Sequence, residues 1–215
     1  DQVRAVHAAL QDRYKITIML GAGLGMRQGE AFGLAVDDID FLGHVVHVVR
    51  QVKLLRTRLC FGPPKGGNSR DVPLPESVAL ALAQHIQQYP PTPIALPWQS
   101  RAGELVTAKL VVYSAGKTAV RRTAFNRWAW QSALRQAGIA QTSREDGFHA
   151  LRHFYASTLL DAGESIVALA EYLGHSDPGF TLRTYTHLMP SSQQRTRQAV
   201  DGVLGSASPD GIQTA

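Results

Sequence analysis

What constrains the fold most is a strand-forming island between residues 44 and 75, set in a chain whose other apolar residues recur at helical spacing. Val45-Val46-His47-Val48-Val49 is a β-branched run, and branched side chains pack well on a pleated surface. From Arg50 to Arg70 there are six Lys or Arg and no acid. Pro63-Pro64 and then Lys65-Gly66-Gly67-Asn68-Ser69 carry turn chemistry. Asp71-Val72-Pro73-Leu74-Pro75 reads as an edge strand, because its prolines cannot donate to a central ladder. These segments predict a small antiparallel sheet with Lys65 on a hairpin.

Around that island the periodicity predicts helices over about 1–13, 15–24, from Gly25 to about Leu34, 76–89, 120–137, 147–162, 165–172, 178–188 and 191–203. Gly163 and Gly174 sit where helix C-termini want a residue free to turn left-handed. The Pro-rich piece 90–97 reads as a loop, and Leu110-Val111-Val112-Tyr113 as a further strand. The expected class is α+β: a mostly helical domain with a small antiparallel β-sheet and hairpin. Residues 1–203 are expected to form one domain, with 204–215 a disordered tail rich in small and polar residues.

Charge and cysteine content narrow the function. Lys and Arg number 22 against 17 Asp and Glu, a net +5, which favours a polyanionic partner. The one cysteine, Cys60, excludes an internal disulfide and any multi-cysteine zinc site, and points to a reducing, cytoplasmic setting. No run approaches the 18 apolar residues of a membrane helix. The start at Asp1, with neither Met nor signal sequence, reads as a piece of a longer protein.

Several motif-like stretches fail on inspection. Gly21, Gly23 and Gly25 suggest a dinucleotide loop, but no strand precedes them and Met26 breaks the spacing. Small residues for close helix packing, plus a C-cap, explain them better. Asp37, Asp38 and Asp40 alternate with apolar residues and read as a solvated connector rather than a metal site. His149 and His153 have the spacing of a zinc pair, but Ala150 stands where the Glu of a metalloprotease would follow, and no third ligand is evident. Neither a metal nor a cofactor is expected.

The segment Phe148-His149-Ala150-Leu151-Arg152-His153-Phe154, with Gly174-His175 and Thr184-Tyr185-Thr186-His187, concentrates imidazoles, a guanidinium and a phenol in fewer than forty residues. Residues three apart on a helix are neighbours, so His149 and Arg152 can face one anion. A phosphate, all acceptors and no donors, suits such a pair. Earlier, Arg27 and Glu30 are also three apart, at a helix start. Either an exposed ion pair or an anion site would account for them. Residues 120–137 interleave Arg121, Arg122, Arg127 and Arg135 with Phe125, Trp128 and Trp130, a pattern suited to a duplex backbone or to a solvated helix with a buried aromatic side.

Taken jointly, Gly25-Met26-Arg27-Gln28-Gly29-Glu30, the turn Lys65, His149-x-x-Arg152, Leu173-Gly174-His175 and Tyr185 resemble the catalytic domain of tyrosine recombinases, the phage-integrase family. The resemblance runs in order over residues 1–203. It implies a site-specific recombinase that cleaves and rejoins double-stranded DNA through a 3′-phosphotyrosyl intermediate, without metal. Tyr185 would be the nucleophile, with Arg27 and Arg152 clamping the phosphate. His149 and His175 would assist proton movement, Lys65 would protonate the leaving 5′ oxygen, and Glu30 would support Arg27. It further implies an N-terminal DNA-clamping domain beyond this chain and a tetramer on DNA, docked through the helix at 191–203. A type IB topoisomerase and a non-cleaving DNA-binding regulator are the alternatives.

Overall fold

The computed structural model describes residues 2–140 and 147–185, and beyond them residues 197, 200–202 and 204. Helix α1 (Gln2–Ala9) stops short of the expected residue 13, because Asp12 opens α2 (Asp12–Leu24). Helix α2 is the buried axis of the domain. A Cβ on Gly21 would lie 2.8 Å from the Leu151 side chain, and one on Gly23 would lie 2.7 Å from Val78. The small residues here are helix-packing surfaces, as their spacing suggested. Gly25 ends α2 at φ +61°, and its missing side chain leaves room for the Tyr155 ring.

After α3 (Gln28–Gly33) the chain runs through a single 3₁₀ turn (Val36–Asp38) into strands β1 (Ile39–Asp40) and β2 (Val45–Val48). The acidic stretch is not simply solvated. Asp38 is buried, accepts the Ala35 N–H at 2.8 Å and pairs with Arg50. Strands β3 (Gln51–Leu55) and β4 (Arg58–Gly62) form a hairpin turning at Arg56, and β5 (Arg70–Pro73) pairs with β2. The strand island is therefore split into a three-stranded sheet, order β1-β2-β5, and a separate β3–β4 ribbon. Lys65 lies on the connection between β4 and β5, which do not pair, so it is not on a hairpin as expected. The β5 edge position matches its prolines.

Helix α4 (Glu76–Gln88) is followed by β6 (Thr92–Pro97), where a loop was expected, paired with β7 (Leu105–Leu110). Pro93 and Pro97 are tolerated because β6 pairs with β7 on one side only, leaving its other edge without a partner strand. The expected helix at 120–137 is continuous over 122–136: α5 (Arg122–Ala124), a π-helical turn (Phe125–Trp130) and α6 (Gln131–Gln136). Phe125 and Trp130 turn inward while Trp128 stays exposed.

The last described elements are α7 (His149–Asp161), α8 (Ile166–Leu173) and α9 (Pro178–Tyr185). They bury a small core of their own, made of Tyr155, Ala156, Leu160, Leu169, Leu173 and Tyr185. The main core runs through α1, α2, the strands, α4 and α6, and reaches Leu151. Of the helix expected at 191–203, residues 197 and 200–202 are described and helical, as is Leu204, where the tail was expected to begin. The rest of that helix, the tail from 205 and residues 186–188 lie outside the described residues.

Candidate active site

The polar groups collect where the main core meets the α7–α9 unit. Arg27 stands one residue before α3, and Glu30 lies in its first turn with no exposed surface. The Glu30 carboxylate accepts the Arg27 backbone N–H at 2.9 Å and the Arg27 guanidinium at 2.9 Å. Arg27 keeps 19% side-chain exposure, so its guanidinium is anchored on one side and open on the other. The pair is thus neither an exposed surface bridge nor a bare anion site. It is a surface-reaching cation fixed by a buried acid.

The same carboxylate receives a second guanidinium that sequence reading missed. Arg70 Nη1 and Nη2 donate to the two Glu30 oxygens at 3.2 and 2.7 Å, and Nε donates to the Tyr172 carbonyl at 2.7 Å. Burial pushes the Glu30 carboxyl up, but the hydrogen bonds and charge of Arg70, then Arg27, outweigh it and hold the group below its ordinary value. The signal for Arg70 was its register. It shares the inward face of β5 with Val72, and a cation at an inward strand position requires a buried partner.

Arg152, on α7, is 1% exposed. It donates to the Gly25 carbonyl at 2.7 Å, to the Leu173 carbonyl and to Nε2 of His175 at 3.1 Å. Among the described residues no carboxylate is within ion-pair range of it, the members of that class lying elsewhere. Burial, then the charge of Arg27, pull its pKa down to about 9 against the opposing pull of Glu30, so it remains a cation at neutral pH. A buried guanidinium near a second one, with neutral partners only, is poised for an anion.

His175 follows Gly174, which closes α8 at φ +63°. A side chain at 174 would also meet Arg70, whose Cδ lies 2.9 Å from the position of a Cβ there. Nδ1 of His175 lies 2.7 Å from the hydroxyl of Thr181, a fully buried residue of α9 that sequence reading did not single out. His149 and His153 meet edge to face with centroids 4.7 Å apart, and His153 lies 5.5 Å from the Tyr185 ring. Burial and then the charges of neighbouring groups, His153 for His149 and Arg152 for His175, pull both imidazoles down to about 4. Among the described residues no three His, Cys, Asp or Glu side chains are grouped to hold a metal ion.

Tyr185 ends α9 at 2% exposure. Burial raises its pKa, while the charges of Arg152 and then Arg27 act to lower it. Five of the residues singled out in the sequence, Arg27, Glu30, Arg152, His175 and Tyr185, therefore come from four distant segments into one electrostatic neighbourhood. His149 joins it, since its imidazole feels Arg152, Arg27 and Lys65. Lys65 is exposed on its loop and reaches the site through charge alone.

No helix among the described residues is long and apolar enough to cross a membrane. In comparisons, the chain is 27% identical over 95% of its length to a XerC-like tyrosine recombinase of Caldanaerobacter subterraneus, of which it covers 53%. The chain thus spans about half the length of that relative. Its fold matches the Tn1549 transposon integrase, solved in complex with a circular intermediate DNA. The TM-score is 0.70 at 19% identity, over 94% of this chain and 63% of that one. It also matches the catalytic domain of bacteriophage HP1 integrase, with TM-score 0.60 and 18% identity over 96% and 95% of the two chains. Residues 1–192 fit the model of the phage integrase family, and with the ordered boxes from Arg27 to Tyr185 this makes the chain a member of that family.

Proposed function

We propose that the chain is the catalytic part of a site-specific recombinase that cleaves and rejoins double-stranded DNA through a covalent 3′-phosphotyrosyl intermediate. The observation that carries this reading is Arg152: a buried guanidinium held by neutral partners, close to Arg27 and acting on the Tyr185 phenol. Family membership and the names of the relatives, recombinases and integrases, support the same reading.

Arg27 and Arg152 bind the non-bridging oxygens of the scissile phosphate, and the charge that develops there in the transition state falls on planar cationic forks. Ionising a phenol at pH 7 costs about 4 kcal/mol from its reference pKa near 10. The phosphate-bound guanidiniums offset part of that cost by stabilising the developing phenolate, and a neutral imidazole, His175 or His149, accepts the proton as attack proceeds. The Tyr185 oxygen–phosphorus bond forms as the bond to the 5′ oxygen breaks, and Lys65 supplies the proton to that oxygen. The phosphotyrosine keeps the bond's energy, so a 5′ hydroxyl from another strand reverses the step.

The reading includes a homotetramer on DNA formed through the helix at 191–203. Val200 and Leu204, apolar and 48% and 71% exposed, support a surface awaiting a partner. Sedimentation with and without duplex DNA tests it, and a monomer under all conditions contradicts it. The catalytic reading is tested with a pool of nicked random-sequence duplexes bearing a fluorophore on the 5′ side of the scissile phosphate, the side that stays joined to the protein in a 3′-phosphotyrosyl adduct. The wild-type chain should form an adduct that survives denaturing electrophoresis, and Tyr185→Phe should bind the pool without forming it. An adduct from Tyr185→Phe contradicts the assignment. Relaxation of supercoiled DNA without strand exchange would favour the topoisomerase-like alternative, and binding without an adduct would favour the regulator.

A further inference from the structure

Arg70 is the buried cation that the reaction above does not use. Its guanidinium spans two parts of the site that no backbone element connects directly. One end grips both oxygens of Glu30, the acid on which Arg27 is seated. The other end holds the Tyr172 carbonyl, one residue before Leu173, whose carbonyl accepts from Arg152. Gly174 packs directly over the Arg70 side chain, and His175 follows it. Arg70 is 7% exposed and comes from β5, in the sheet rather than in any helix of the site.

We propose that Arg70 is a positioning residue for phosphodiester cleavage, a strut that fixes the spacing between the Arg27–Glu30 pair and the Leu173-Gly174-His175 turn on which Arg152 and His175 rest. This inference relies on the cleavage reading and assigns Arg70 no contact with DNA. Three donors in one rigid plane make the strut. A lysine has the charge but not the fork, and cannot hold two carboxylate oxygens and a carbonyl in that geometry. The clamp has to match a phosphorus centre with two non-bridging oxygens, so a small change in the separation of Arg27 and Arg152 affects the transition state more than ground-state binding.

The test is a double-mutant cycle on the 215-residue chain, read as the single-turnover rate of adduct formation with one nicked duplex selected from the random pool. Arg70→Lys should slow the adduct roughly 10–100-fold, the range for loss of a group that orients a functional residue. The duplex concentration giving half the maximal rate should change less than about twofold. In an Arg27→Ala background, where half of the clamp is already gone, the same Arg70→Lys change should cost less than about threefold. A purely structural residue would instead give additive losses and a lowered folded fraction by near-UV circular dichroism. Wild-type rates for Arg70→Lys, or additive losses in the cycle, overturn the proposal. If Arg70→Lys does not fold, Arg70→Gln takes its place, and failure of both to fold also overturns it, since Arg70 is then structural. If the wild-type chain forms no adduct, the cleavage reading fails instead, and the two failures are distinct.

Discussion

Nη2 of Arg152 stands 3.1 Å from Nε2 of His175. A guanidinium has only donors, so that imidazole nitrogen must accept, which places the ring proton on Nδ1. Nδ1 in turn faces the Thr181 hydroxyl at 2.7 Å and donates to it. The ring is thereby fixed as one neutral tautomer, with its lone pair directed into the cationic site. Once Arg152 turns from the ring to a bound phosphate, that lone pair is free to take a proton from an attacking phenol.

Nitrogen NMR of the imidazoles should show His175 as neutral with hydrogen on Nδ1 at pH 7, remaining so to below about pH 5, given its value of about 4. Titration of His175 near its ordinary 6.5 would contradict the arrangement.

Stability should follow the same groups. His149 and His175 are both held well below 6.5 by burial and by neighbouring positive charge. The unfolded chain therefore binds more protons than the folded one between about pH 6.5 and 4, and stability rises with pH across that window. Urea midpoints should be flat above about pH 7 and fall steadily from 6.5 toward 4. A midpoint that rises as pH falls would show that the imidazoles are charged in the folded state.

Gly25→Ala should be costly. The position has φ +61°, which costs an L-residue about 1–2 kcal/mol. The new methyl would also lie 2.5 Å from the Tyr155 ring, and the Gly25 carbonyl is an Arg152 acceptor. The urea midpoint should fall by more than the backbone cost alone, and adduct formation should fall with it. A loss of under about 0.5 kcal/mol would contradict this account of the α2 terminus.

How much of this was legible in the sequence depends on range. Helix α7, the Gly174 turn and the Arg27–Glu30 spacing are local patterns, and the chain shows them directly. The splitting of the strand island was not legible, because β3–β4 and β2–β5 pairing depends on which sheet the domain offers each strand. The β6 strand was hidden by Pro93 and Pro97, which read as loop until an unpaired edge explains them. Arg70 and Thr181 were missed because their partners, Glu30 and His175, are 40 and 6 residues away, and only the fold brings them together. Asp38 was read as solvated, since its partner Arg50 lies across a chain reversal.

Lys65→Ala should separate leaving-group chemistry from folding. Lys65 sits exposed on a loop, so its removal should leave the unfolding midpoint within about 0.5 kcal/mol. As a general acid it should contribute roughly 10²–10⁴-fold to adduct formation on an ordinary phosphodiester. On a duplex whose leaving 5′ oxygen is replaced by sulfur, which departs without a proton, the loss should largely disappear. An equal loss on both substrates would remove Lys65 from that role.

The most direct measurement is mass spectrometry of the adduct after nuclease and tryptic digestion. The account predicts one modified peptide, beginning at Thr184, with the residual nucleotide joined through phosphate to the oxygen of Tyr185. A nucleotide found on any other side chain, or a cleaved strand with no peptide attached, would contradict it.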